Sequence, residues 1–142
     1  MSDVISPRVF ETAVQVRSYE LDGFGHLNHA VFLNYFEFAR FQALETGGFT
    51  SALLAARGEG VHVVRVEVDY RREALLHQRL VVRTRVAEVR TSSMTLVQDA
   101  LDPERPDQVF ATGRVVVVWV GSDRRPMRIP DDVRAALGLA GR

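Results

Sequence analysis

The stretch Tyr19–Arg40, Y-E-L-D-G-F-G-H-L-N-H-A-V-F-L-N-Y-F-E-F-A-R, decides how this chain is read. It passes from a strand end through a glycine-rich turn into a long apolar helix. The turn brings Asp22, Gly23, Gly25, His26, Asn28 and His29 into eight consecutive positions. Glycine reaches backbone conformations that a Cβ forbids, so Gly23 and Gly25 permit a tight reversal. Asn28 is the expected N-cap, because its side-chain oxygen can accept from the first free amides of the helix. A carboxylate, two imidazoles and a helix N-terminus therefore meet at one turn. The helix end offers partial positive charge and unpaired N–H groups, which suit an anion or a developing oxyanion. Such a turn can activate a carbonyl with an acid or base beside it.

Working outward, Val9–Leu21 alternates Val14, Val16 and Ser18 with polar or charged neighbours and predicts a strand with one wet side. Downstream, Ala30–Glu45 contains neither glycine nor proline and sets Val31, Leu33, Tyr35, Phe36, Ala39, Ala43 and Leu44 on a broad apolar side. That predicts a mostly buried helix of about four turns, stopped by Gly47 and Gly48. Thr50–Arg57 predicts a short second helix. A β-rich half follows, with strands predicted over Val61–Arg72, Gln78–Arg90, Ser93–Leu101 and Gln108–Val120. Thr91-Ser92 and the segment Asp102–Asp107 are the turn signals between the last three. The unbroken run Val115–Val120 predicts a central strand covered on both faces. Pro130–Leu139 closes with a short amphipathic helix.

One strand, one long helix and four further strands with short connections predict an α+β fold, an antiparallel sheet with a helix across it. One helix covers one face only. The other face, or an edge, then calls for a second copy, so a homo-oligomer is expected.

At 142 residues the chain is long enough for one domain, residues 1–142, with a real core. Apolar residues make up 46% and charged residues 25%, an ordinary globular balance. Net charge is zero, which gives no whole-molecule attraction to nucleic acid or membrane. All 18 basic residues are arginine, so lysine Schiff-base chemistry is excluded. Without cysteine there is no thiolate nucleophile, thiolate metal site or disulfide. His62 and His77 lack the paired spacing of metal ligands and read as ordinary strand or loop histidines, so no metal is expected. The first residues lack a signal-peptide pattern, and no stretch approaches the ~20 apolar residues of a membrane span. A cytoplasmic protein is the expectation.

From Val9 to Ile129 the chain resembles the hotdog-fold thioesterases of the 4-hydroxybenzoyl-CoA thioesterase family, most specifically in the segment from Asp22 to Arg40. The resemblance implies an antiparallel sheet wrapped around a long central helix. It implies a hydrolase acting on acyl-CoA without metal or redox cofactor, CoA entering as part of the substrate; acyl-carrier protein is the alternative carrier. It also implies sites formed between subunits, in dimers paired into tetramers.

An aspartate at the position of Asp22 serves that family as nucleophile or general base. The backbone N–H at the helix start, here His29 or its neighbour, polarises the thioester carbonyl, and Asn28 fixes that helix end. The plant acyl-carrier-protein thioesterases have an aspartate and a histidine matching Asp22 and His26, but their intervening asparagine falls on Phe24 here. His26 either orients and tunes the carboxylate or hydrogen-bonds the backbone. Burial beside an acyl tunnel is expected to raise the pKa of Asp22. Phe32, Tyr35 and Phe36 are expected along the acyl chain. Arg90 matches a nucleotide-binding position at the turn between the third and fourth strands, where Thr91 and Ser92 replace further basic residues. Glu37 is a rival carboxylate, since some hotdog thioesterases use one on the helix. Its i,i+3 spacing to Arg40 favours a helix ion pair. A binding protein that keeps the fold without rapid hydrolysis is the competing function.

Overall fold

The valine- and threonine-rich runs of the C-terminal half form the scaffold on which the turn and helix rest. The computed structural model describes residues 7–139. Its elements are β1 (Phe10–Gln15), α1 (His29–Thr46), α2 (Ser51–Arg57), β2 (Gly60–Tyr70), β3 (Arg79–Val89), β4 (Ser93–Asp102), β5 (Arg105–Val120) and α3 (Asp131–Ala136). The strands form one antiparallel sheet in the order β1-β3-β4-β5-β2, with α1 laid across one face. The expected α+β architecture is therefore present.

Helix α1 begins where Asn28 caps it, the side-chain Oδ1 accepting from the Ala30 N–H at 2.8 Å. It buries Phe32, Tyr35, Phe36, Ala39 and Ala43, an i, i+3, i+4 stripe. Each large side chain so buried contributes about 1.5–3 kcal/mol. The helix lies close on the sheet at Gly113 of β5, where a Cβ would stand 2.9 Å from the Phe36 ring. Behind it Gln98, fully buried, donates to the Phe36 carbonyl and to Thr84 Oγ1 and accepts from Arg40 Nη1 at 3.0 Å.

Several expectations are corrected. The first strand ends at Gln15, because a single 3₁₀ turn at Ser18–Glu20 is locked by the Glu20 carboxylate, which accepts from both the backbone N–H and the guanidinium of Arg17. α1 is not mostly buried: Leu33, Phe38 and Phe41 remain 40–47% exposed. Its apolar residues surround the helix, whereas the sheet touches only one side. β5 lies inside the sheet between β4 and β2, but β4 is the central strand. On β5 Val115 and Val117 are buried while Val116 and Val118 are only half-buried, so one face is less covered than expected. The turn expected over Asp102–Asp107 is present but shorter, since Asp102 Oδ1 accepts from the Glu104 N–H and pairing resumes at Arg105, so β5 starts three residues before Gln108. Gly25 adopts φ +83°, but Gly23 has no positive φ and needs no glycine on that ground. Among the described residues no ion pair joins Glu37 to Arg40, because the Arg40 guanidinium turns toward Gln98. No helix among the described residues is long and apolar enough to cross a membrane.

Candidate active site

The turn after β1 closes as a miniature hairpin. Leu21 bridges Leu27, and the Asp22 N–H donates to the His26 carbonyl at 2.7 Å. The Asp22 carboxylate completes it, Oδ1 accepting from the backbone N–H groups of Phe24 at 2.9 Å and His26 at 3.2 Å. Those donors, first Phe24 and then His26, hold its pKa below the usual aspartate value. The expected upward shift is thus reversed: the backbone stabilises the anion, and little apolar surface covers it. Oδ2 is left without a hydrogen bond among the described residues.

The turn is pinned to its neighbours on both sides. The Leu27 N–H donates to Ala74 in the β2–β3 loop, and the Asn28 N–H donates to the Glu20 carbonyl. Glu20 is itself buried. Burial pushes its carboxyl up, but the hydrogen bonds from Arg17 and the Tyr35 hydroxyl (2.6 Å) outweigh this and hold it down. At the helix start the Ala30 N–H goes to Asn28 Oδ1 and the Val31 N–H to the Asn28 carbonyl. The His29 N–H remains without a partner among the described residues, on the exposed first turn. Tyr70, at the end of β2, donates its hydroxyl to the His29 carbonyl at 2.8 Å and sets its ring against Phe32 and His29.

Asp22, His26, His29 and Phe32 line one open cleft of about 320 Å³ with Tyr70, Arg71, Arg72 and Glu73. Asn28 fixes the helix end at its edge. His26 Nε2 lies 2.6 Å from Glu73 Oε2, so Nε2 carries a proton and Glu73 orients the ring. Tyr35 and Phe36 do not reach the cleft. Tyr35 is buried against Glu20 and Phe36 against Gly113, because the helix stripe that meets the sheet includes both.

Arg90 is not brought to the cleft either. β1 pairs Gln15 with Arg79, so the turn at Asp22 lies at the start of β3 and Arg90 just past its far end. A strand of that length separates them by roughly 30 Å. There Arg90 binds Glu88 Oε1 through Nε at 3.0 Å and Nη2 at 2.9 Å. Glu37 sits about 12 Å along the helix from His29. It lines a different concavity, an apolar pocket of about 80 Å³ with Phe41, Leu44, Val61, Val63 and Met94 among its walls. His62 lies on exposed β2, and His77 occupies the β2–β3 loop with φ 70°.

Sequence reading missed Tyr70, Arg71, Arg72 and Glu73. They follow the turn by more than forty positions, and long-range contacts bring their loop alongside: Leu27 to Ala74, Tyr70 to His29 and His26 to Glu73. The chemical capacity of the cleft is that of an anionic oxygen, an unpaired amide and a carboxylate-oriented imidazole facing one volume of solvent.

Known proteins are similar to this chain in sequence and in fold. The signature of the thioesterase-like superfamily matches residues 16–137. The acyl-acyl carrier protein thioesterase ATL3 of Arabidopsis thaliana is 29% identical over 88% of this chain, which spans 65% of the plant protein's length, just under two thirds. The acyl-CoA thioesterase YbgC of Haemophilus influenzae is 32% identical over 89% of this chain and 93% of its own. In the crystal structure of the hypothetical protein TT1821 from Thermus thermophilus, 90% of this chain and 96% of that one superpose with a TM-score of 0.81 at 30% identity. The chain has the hotdog fold and belongs to the thioesterase-like superfamily, whose named relatives are thioester hydrolases.

Proposed function

We propose that this protein is an acyl-CoA thioesterase that hydrolyses an acyl thioester to the free acid and CoA in the Asp22 cleft. The observation that carries the reading is the pairing of two unsatisfied groups there, Asp22 Oδ2 and the His29 N–H. Asp22 either takes a proton from water as the water oxygen bonds the thioester carbon, or attacks that carbon itself to give an anhydride that water then opens. In both routes the C–S bond breaks and sulfur leaves as thiolate. The oxyanion formed on the carbonyl is held by the His29 N–H and the positive end of α1. The lowered pKa keeps Asp22 ionised at neutral pH. Similarity to YbgC supports CoA as the carrier, and similarity to ATL3 supports acyl-carrier protein as the alternative.

The acyl group passes Phe32 toward a boundary between two copies. The sheet has two free edges, β1 and the longer β2, and it is on β2 that a bulge at Val64 and exposed Val63, Val64 and Val66 leave unpaired backbone beside apolar side chains. Antiparallel pairing of two such edges is self-complementary, as a two-fold interface requires. It sets the start of one β2 beside the end of the other, bringing the 80 Å³ apolar pocket of one copy near the cleft of its partner. Light scattering after gel filtration tests this: a dimer or larger oligomer is expected, and a monomer would remove the boundary.

The function is tested by thiol release from short-, medium- and long-chain and aromatic acyl-CoAs and from acyl-carrier protein. Turnover of at least one is expected. Ligand binding with no thiol release from any would replace the enzyme with a carrier-binding protein.

A further inference from the structure

Arg71 and Arg72 line the Asp22 cleft beside Tyr70 and Glu73. Both are exposed, and neither has a carboxylate partner among the described residues. The carboxylate next in the chain, Glu73, is engaged by His26. Arg72 lies over the Phe110 ring at 5.9 Å, and the backbone N–H groups of both arginines donate to the Phe110 carbonyl, which ties this end of the loop to β5. The same two arginines also wall a second, larger groove of about 540 Å³, floored by Asp107, Gln108, Val109 and Thr112. They therefore form the ridge between the reacting centre and an open polar groove. A carrier arm that runs from a carbonyl in the cleft into that groove crosses this ridge. The first charged group along that arm is a phosphate ester, common to CoA and to the prosthetic group of acyl-carrier protein. A guanidinium offers planar, paired donors that match phosphate oxygens.

Resting on the thioesterase reading, we infer that Arg71 and Arg72 form an anion clamp for the phosphate at the end of the pantetheine arm. The groove beyond them receives what that phosphate carries. This clamp is separate from Arg90, which lies at the other end of the sheet and is paired with Glu88.

The test compares wild type with the double variant Arg71→Gln/Arg72→Gln on three thioesters of one acyl group: acyl-CoA, acyl-carrier protein and acyl-N-acetylcysteamine, which has no phosphate. The ratio of kcat/KM for acyl-CoA to that for acyl-N-acetylcysteamine is expected to fall at least tenfold, chiefly through KM, and the salt dependence of that KM to flatten. A parallel fall with acyl-carrier protein assigns the clamp to the shared phosphate. A fall with acyl-CoA alone assigns it to phosphates found only in CoA. An unchanged ratio for both carriers overturns the clamp while leaving the thioesterase reading intact. Should wild type hydrolyse none of the three, calorimetric titration with free CoA decides separately: at least tenfold weaker binding by the variant upholds the clamp, and equal binding overturns it.

Discussion

At the start of β3 the loop between β2 and β3 leaves Arg71 and Arg72 in solvent beside Asp22. At the other end of the strand Arg134 of α3, 1% exposed, donates to the carbonyls of Ile129 (3.1 Å), Arg90 (2.7 Å) and Thr91 (2.9 Å). The same side-chain type serves both ends. Where carbonyls saturate it, with Ile129 and Val133 fully buried around it, the guanidinium holds a hairpin and a helix together. Where no carboxylate reaches it, charge remains available to a ligand. The sheet thus has a sealed structural end and an open chemical end, and damage to each should show in a different measurement.

The largest expected effect is at the sealed end. Arg134→Met takes a donor from the Ile129 carbonyl, which is buried, and from the part-buried carbonyls of Arg90 and Thr91, and should cost roughly 2–4 kcal/mol in urea unfolding. Thiol release per folded molecule should stay within about twofold. A loss of activity per folded molecule beyond that would break the division between the ends.

At the open end the effects invert. Glu73→Ala removes the acceptor of the His26 ring and should lower kcat about tenfold with KM little changed, while thermal stability is retained. A fall in KM-derived affinity alone would place Glu73 with substrate binding instead. Asn28→Ala bridges the two behaviours: removing the cap costs about 1 kcal/mol of stability and loosens the helix start, so kcat should fall as well.

The smallest effect is a displacement on the pH axis. A pKa lowered by the Phe24 and His26 amides favours the anion, so that stabilisation is present above the unfolded value and lost as pH falls through the folded one. The profile of kcat/KM should therefore stay level from neutral pH down to about 4, the ordinary aspartate region, and fall below it. A drop centred near 6.5 would assign the acid limb to a histidine.

The sequence carried the helix and its cap plainly, because Asn28 and the residues from Ala30 to Glu45 act within a few positions of one another. Strand existence was legible from β-branched runs, and the cleft's first half from Asp22 to Phe32. What was hidden depended on register. Tyr70, Arg71, Arg72 and Glu73 reach the site only because β2 ends beside the helix start, which no local pattern announces. The resemblance gives Arg90 a nucleotide contact, yet within one copy antiparallel pairing carries its turn to the end of β3 away from Asp22. The pKa of Asp22 was misread because the expectation weighed burial and left out the amides that its own turn supplies. Helix periodicity likewise could not say which apolar side would meet the sheet, so Tyr35 and Phe36 went into the core rather than the cleft.

The central claim is that the Asp22 carboxylate does the chemistry. Thiol release from the best acyl-CoA is measured for wild type and Asp22→Asn at equal folded concentration, with CoA binding followed in parallel. Loss of kcat by roughly 10²-fold or more with CoA still bound is the expected result. Equal rates would contradict it and move the chemistry to Glu37 or another group.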